Sequence, residues 1–249
     1  MTLLQALLLG FIQGFTEFLP ISSSGHLVIA QHWLNYRGPL LVMDTVLHLG
    51  TLMAVLVYFF PTFKKLTRHT VLVTFLGTIP AVIAGVFISA YVEPIFSSLI
   101  VVGFGLLVTA TLLLMSKYLP VGLTKFAQIS LKQAVFIGLI QAIAIIPGIS
   151  RSGSTIVAGL GAGLTSAAAF TYSFYLAIPA IGGAFILQLP KIVKLSPADY
   201  LPLIVGFAAA VLGGLISINI LKYVLTSKKL YYFGYYCLAV GAITLLYAL

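Results

Sequence analysis

The chain has 249 residues, 61% of them hydrophobic and 7% charged, with a mean hydropathy of +1.17 and a formal net charge of +9. Soluble domains carry about 25% charged residues, so this composition excludes a water-soluble enzyme and points to a polytopic membrane protein. The thirteen lysines and arginines are scattered over many loops rather than gathered in a stripe, which argues against nucleic acid as a partner, and the single Cys237 excludes an internal disulfide or a multi-cysteine metal site.

The opening stretch MTLLQALLLG lacks a basic n-region and a small-residue cleavage site, and reads as part of the mature fold. Residues 2–34 are apolar at both ends but interrupted by LPISSSGH. Spans of roughly 20 residues are then expected near 41–60, 70–92 and 97–116. A second interrupted segment, 131–163, is broken by PGISRSGST, and further spans follow near 166–188, 199–221 and 231–248. Each half of an interrupted segment is too short for a comfortable crossing. A helix broken by Pro, Gly and Ser that folds back to the side it entered accounts for them better. Non-helical backbone at membrane depth is tolerated only where protein buries it or it lines a cavity.

With such re-entrant segments, Lys64, Lys65, Arg68, Lys117, Lys125, Lys132, Lys222, Lys228 and Lys229 share one face, against Arg37, Lys191 and Lys194 on the other. The positive-inside rule makes the richer face cytoplasmic and puts both termini outside. Cys237, within YYFGYYCLAV, reads as a small core residue.

The two interrupted segments match each other. At a constant offset of 128, without gaps, Gly10/Gly138, Ile12/Ile140, Gln13/Gln141, Ile21/Ile149, Ser22/Ser150, Ser24/Ser152 and Gly25/Gly153 coincide. The same offset carries the first three spans onto the last three. The expected fold is an all-α polytopic membrane protein in one membrane domain, 1–249, built from two inverted-topology repeats. These cover about 1–125 and 126–249, each a re-entrant helical hairpin plus three spans, six spans in all. Such repeats form midplane sites from paired discontinuous helices, which would bring EFLPISSSGH and PGISRSGST together.

The chain has only four acids. Glu93 and Asp199 read as solvated loop charges, and Asp44, which opens the first span, either as a residue near the outer mouth of the site or as an interfacial helix residue. Glu17 differs: it lies in an apolar helical run four residues after Gln13, which puts amide and carboxylate on one face. It reads as a functional acid, as a structural partner of Arg151, or as both. His26 follows three serines and can serve as base, nucleophile or phosphate donor. His48, one turn after Asp44, is a weaker candidate, while His32 and His69 look interfacial or loop-borne.

Arg151 is the puzzle of the second segment. A charge at membrane depth costs about 2.5–3.5 kcal/mol on insertion scales and is usually functional. Its planar fork of donors suits phosphate oxygens, and Ser150, Ser152, Ser154 and Thr155 add hydroxyls, one or two of which are expected to cap a helix instead. A helix restarting near 151 would aim a partial positive charge at the same point. This is a phosphate cradle inside a membrane, implying a lipid-linked phosphate or, alternatively, a transported phosphate-bearing solute. With so few acids, a divalent metal would need substrate oxygens and water to complete its coordination.

QGFTE matches an (E/Q)xxxE motif, PISSSGH its continuation, and PGISRSGST the pattern PGxSRSxxT. On these residues, and over essentially the whole chain, the sequence resembles the undecaprenyl-diphosphate phosphatases of the UppP/BacA (bacitracin-resistance) family. The resemblance implies a plasma-membrane enzyme that hydrolyses a polyprenyl diphosphate to the monophosphate, recycling a carrier lipid for cell-wall polymers. It further implies a Mg²⁺ or Ca²⁺ requirement and a site open to the outer face.

By motif position, Gln13 and Glu17 would serve metal and diphosphate. Arg151 with Ser150, Ser152 and Thr155 would bind phosphate, joined by Ser22 and Ser24 of the first loop. Ser23 and His26 would form a nucleophile–base pair or activate water. Gln13 departs from family members with two carboxylates, leaving Glu17 as the one acidic ligand. The bilayer and the lipid diphosphate are the expected partners, a homodimer is compatible with the sequence, and a flippase for the lipid phosphate is the alternative function.

Overall fold

The structure, a computed structural model, describes every residue except 37–39, 65, 89–94, 96 and 193–195, together with the side chain of Leu40. Arg37, Lys65, Glu93 and Lys194 therefore lie outside the described residues. Among the described residues there are ten α-helices and no strand; one isolated bridge joins Thr124 and Leu164.

Helix α1 (Leu3–Phe18) opens on a capping box in which Thr2 accepts from the Gln5 amide. It stops because Leu19 precedes Pro20, and a residue before proline is driven out of the helical region; Leu19 is extended, with φ −62° and ψ 140°. Helix α2 (Ser23–Trp33) then restarts on Ser22 as N-cap. The second half repeats the plan: α6 (Leu131–Ile143) starts on a Ser130/Gln133 capping box, breaks at 144–150, and α7 (Arg151–Gly161) restarts on Ser150. Both expected helix breaks are present.

Between and after these pairs run α3 (Leu40–Phe63), α4 (Arg68–Ile88), α5 (Leu99–Met115), α8 (Ser166–Ile192), α9 (Pro197–Thr226) and α10 (Tyr232–Ala248). Five of them, α3, α4, α5, α8 and α9, are long and apolar enough to cross a membrane. Their outward faces carry large apolar side chains such as Phe75, 64% exposed, and Phe87, 79% exposed, as lipid contact requires. The sixth expected span, α10, has 17 residues; α5 has as many, but its helical run continues through Ser116–Tyr118 to 20. Asp199 is not a loop charge. Ser196 caps α9, Pro197 begins it, and Asp199 sits in its first turn, where the helix dipole favours an acid.

The packing exchanges partners between the halves. Helix α1 lies along α9, while α6, its counterpart by sequence, lies along α4. Gly10 meets the Gly206 carbonyl so closely that a Cβ has no room, and Gly138 meets the Gly77 carbonyl in the same way. Close backbone approach through small residues is how helices associate without a hydrophobic drive between them. Phe18 closes the end of α1 onto an aromatic cluster: Phe174 at 5.0 Å, with Phe59 5.3 Å and Phe170 4.7 Å from Phe174. This apolar floor fixes the position of the preceding residue, Glu17.

Candidate active site

The two helix breaks meet. A Cβ on Gly25 would sit 3.1 Å from Gly148, and one on Gly153 would sit 3.2 Å from Pro20. Each restarting helix has the same local chemistry. The Ser22 hydroxyl accepts from Gly25 N–H at 3.3 Å and lies 3.3 Å from Ser24 Oγ; the Ser150 hydroxyl accepts from Gly153 N–H at 3.1 Å and lies 3.3 Å from Ser152 Oγ. Two helix N-termini thus converge on one place, each with partial positive charge. The loop carbonyls are held alike. Thr109 of α5 donates to the Gly148 carbonyl at 2.8 Å, and Cys237 of α10 donates to the Pro20 carbonyl at 3.8 Å. Both pairs are related by the offset of 128.

Glu17 sits at the centre, 6% exposed. Arg151 Nη2 donates to its Oε1 at 2.6 Å. Ser23 Oγ donates to its Oε2 at 2.5 Å, and Gln13 Nε2 donates to the same oxygen at 3.0 Å. His48 Nε2 approaches Oε2 at 3.5 Å, close enough to pair with it when the imidazole is charged. The anion that Arg151 meets within the chain is therefore Glu17, across 134 residues. Arg151 Nη1 also donates to the Ser173 carbonyl at 3.2 Å.

The expected pairing of Ser23 with His26 is not what the structure holds. Ser23 begins α2 and hangs back over the break toward Glu17. His26, one turn on, is turned by its own helix: Nδ1 lies 2.8 Å from the Ser22 carbonyl, and Nε2 lies 2.8 Å from the Tyr236 hydroxyl.

The hydroxyls divide. Ser22 and Ser150 are caps. Thr155 donates to the Arg151 carbonyl at 2.9 Å and shares a 2.7 Å hydrogen bond with Ser173 Oγ, while Ser152 reaches the Leu19 carbonyl at 3.4 Å. All four are at most 3% exposed, so they build and brace the loops. Ser24, His26, His48 and Arg151 keep part of their surface open.

His48 is closer to the centre than its sequence pattern suggests, although a signal is there. It lies four residues after Asp44, and its Nδ1 donates to the Asp44 carbonyl at 2.6 Å, aiming Nε2 at Glu17. Asp44 accepts from Gln31 Nε2 at 2.5 Å, tying α3 to α2. Tyr236 and Thr109 have no local signal, because each meets a partner more than thirty residues away.

Among known proteins, the family model described as bacitracin resistance protein BacA matches residues 6–243. The chain belongs to the BacA family. BacA relatives of similar length include the undecaprenyl-diphosphatase of Halothermothrix orenii, 40% identical over 100% of this chain and 99% of its own. That of Methanobrevibacter smithii is 38% identical over 98% of this chain and 96% of its own. Undecaprenyl-diphosphatase 4 of Bacillus thuringiensis is 40% identical over 98% of this chain and 96% of its own. Each of these BacA relatives aligns over nearly the whole chain, so the likeness takes in both helix breaks and the site between them.

Proposed function

We propose that this chain hydrolyses undecaprenyl (polyprenyl) diphosphate to the monophosphate and inorganic phosphate, the substrate for which its relatives are named. The observation that carries the reading is the Ser23–Glu17–Arg151 chain: a hydroxyl 2.5 Å from a buried carboxylate that an arginine orients from its other oxygen. A nucleophile, a base and an orienting group in sequence are the mark of covalent catalysis. A carrier of lipid phosphate has no use for an activated hydroxyl, so hydrolysis is favoured over flipping.

In the proposed course, Ser23 Oγ attacks the terminal phosphorus and passes its proton to Glu17 Oε2. The bond to the bridging oxygen breaks, and its electron pair leaves with the lipid monophosphate. Water, giving a proton to His26 Nε2, then attacks the phosphoserine; Ser23 leaves with the proton held by Glu17, and His26 passes its own to the departing phosphate. Arg151 and the two converging helix N-termini stabilise charge on the phosphoryl oxygens, the chief source of catalysis in such transfers.

A divalent cation fits the same corner. Gln13 is fully buried, and its Oε1 has no hydrogen-bond partner beside the Glu17 carboxylate. An unsatisfied buried carbonyl next to an acid is a donor set for a hard cation. Gln13 and Glu17 would hold Mg²⁺ or Ca²⁺, which would neutralise diphosphate oxygens. Among the described residues no group of three His, Cys, Asp or Glu side chains could hold a metal, so substrate and water would complete the coordination.

The architecture is read as two inverted repeats, about 1–125 and 126–249, with α1–α2 and α6–α7 as re-entrant hairpins and α10 as a sixth crossing. Three observations support it: the matched Ser22 and Ser150 caps, the Thr109–Gly148 and Cys237–Pro20 clamps at the same offset, and the exchanged α1–α9 and α4–α6 contacts. The loop charges support a plasma-membrane protein with both termini and the site toward the outer face.

The test is phosphate release from undecaprenyl diphosphate by the detergent-purified protein, with Mg²⁺, with Ca²⁺ and with chelator. Release that depends on the cation is expected. No release from well-folded protein under any condition would rule the hydrolase out.

A further inference from the structure

His26 stands one turn into α2, and its Nδ1 lies 2.8 Å from the Ser22 carbonyl oxygen. A carbonyl oxygen only accepts, so Nδ1 carries the hydrogen, and in the neutral ring Nε2 is the lone pair. That lone pair has a partner. The Tyr236 hydroxyl is 2.8 Å from it, and the two rings lie nearly parallel, 9° apart with centroids at 5.6 Å. Tyr236 comes from α10, 210 residues away, and belongs to neither of the motifs.

Packing does not explain this tyrosine. It is 43% exposed, whereas its neighbour Cys237 is fully buried and makes the contact between α10 and the first helix break. What Tyr236 adds to the molecule is the hydroxyl, donated to the one nitrogen of His26 able to take a proton. The carbonyl fixes the tautomer and the tyrosine fixes the rotation, so together they leave the ring one orientation.

We infer that Tyr236 is the positioning residue of His26: its hydroxyl sets the rotation of the ring, and as Nε2 takes the water's proton the hydroxyl turns to accept from the N–H that forms, so the contact lasts through the step. The inference rests on the reading of His26 as the second base. It assigns the last helix a part in the reaction, and makes the site a composite of α1, α2, α3, α7 and α10.

The substitution to make is Tyr236→Phe, which keeps the stacked ring and removes only the hydroxyl. Loss of kcat by about 10- to 100-fold, with KM within twofold, is expected from a misplaced catalytic group. The chain has four histidines, so with ¹⁵N-labelled imidazoles the His26 resonances are identified by their disappearance in His26→Gln. In Tyr236→Phe the His26 Nε2 resonance is expected to shift while those of the other three stay. Added to His26→Gln, Tyr236→Phe is expected to lower kcat no further. An unchanged kcat, an unmoved Nε2 resonance or a multiplied loss in the double variant would each overturn the inference. Full activity in His26→Gln would instead overturn the reading of His26 as a base, and the resonance shift would still decide whether Tyr236 holds the ring.

Discussion

Arg151 and Glu17 lie 134 residues apart in the chain and meet at 2.6 Å between Nη2 and Oε1. The pair joins the start of α7 to the end of α1, so the same contact holds the two helix breaks together and orients the carboxylate toward Ser23.

A buried pair of this kind has a separable structural share. Arg151→Met or Glu17→Gln leaves its partner uncompensated, which costs about 3–5 kcal/mol in other buried pairs. The double variant Glu17→Gln/Arg151→Met removes both charges and is expected to lose less than the sum, while remaining inactive. Denaturation midpoints in detergent check this; equal, additive losses would mean that the two groups do not depend on each other.

Ser23 is expected to matter to kcat rather than to binding. Its hydroxyl is already engaged with Glu17 at 2.5 Å, so Ser23→Ala removes the attacking atom and little else. A loss of at least about 10³-fold in kcat is expected, with KM within a few-fold. Rapid quenching of the wild type followed by mass spectrometry should find phosphate on the peptide containing Ser23. A phosphohistidine at His26 would assign the attack to the imidazole instead.

Gln13 sets a neutral amide beside the Glu17 carboxylate. Gln13→Glu would set a second negative oxygen beside Glu17, and the Mg²⁺ concentration giving half-maximal rate is expected to fall several-fold, since added ligand charge tightens binding of a hard cation. Titration of phosphate release against Mg²⁺ measures it, and an unchanged midpoint would remove Gln13 from the metal site.

His48 approaches Glu17 from α3, with Nε2 at 3.5 Å. His48→Ala is expected to lower kcat/KM by about tenfold or more, in the range of a lost hydrogen bond to a charged group. His48→Gln, which keeps a donor on a side chain of similar reach, should recover most of it. Equal losses in the two variants would show that the ring's shape, not its N–H, is needed.

The exchanged helix contacts make a prediction about stability alone. Gly10 and Gly138 each face a carbonyl with no room for a methyl. Gly10→Ala and Gly138→Ala are both expected to destabilise by about 1–3 kcal/mol, the usual effect of overpacking. If only one of them does, the two contacts are not equivalent.

Much of this is legible in the amino-acid sequence. Pro20 and Pro147, with their flanking serines and glycines, mark the helix breaks, and the Ser22/Ser150 identity at an offset of 128 foretells two matching caps. Glu17 and Arg151 announce themselves as charges in apolar runs. Ser196-Pro197 is likewise a helix-start signal, and it places Asp199 in a helix rather than a loop. Partnerships set by tertiary packing leave no such mark. The direction Ser23 faces depends on how α2 leaves the break, and the partner of His26 lies in a tyrosine-rich stretch where nothing distinguishes Tyr236 from Tyr235. Composition also overstates the number of hydroxyls free to bind phosphate, because caps and inter-helix braces use the same residue types.

The central claim is that Glu17, Ser23 and Arg151 act as one unit on the diphosphate. Its most direct measurement is kcat/KM for undecaprenyl diphosphate in the wild type, Glu17→Gln, Ser23→Ala, Arg151→Ala and the triple variant. Groups that act as a unit are grossly non-additive, so each single change should abolish nearly all activity and the triple variant should be no worse than the singles. Losses that multiply from one variant to the next, or substantial activity without Ser23, would contradict it.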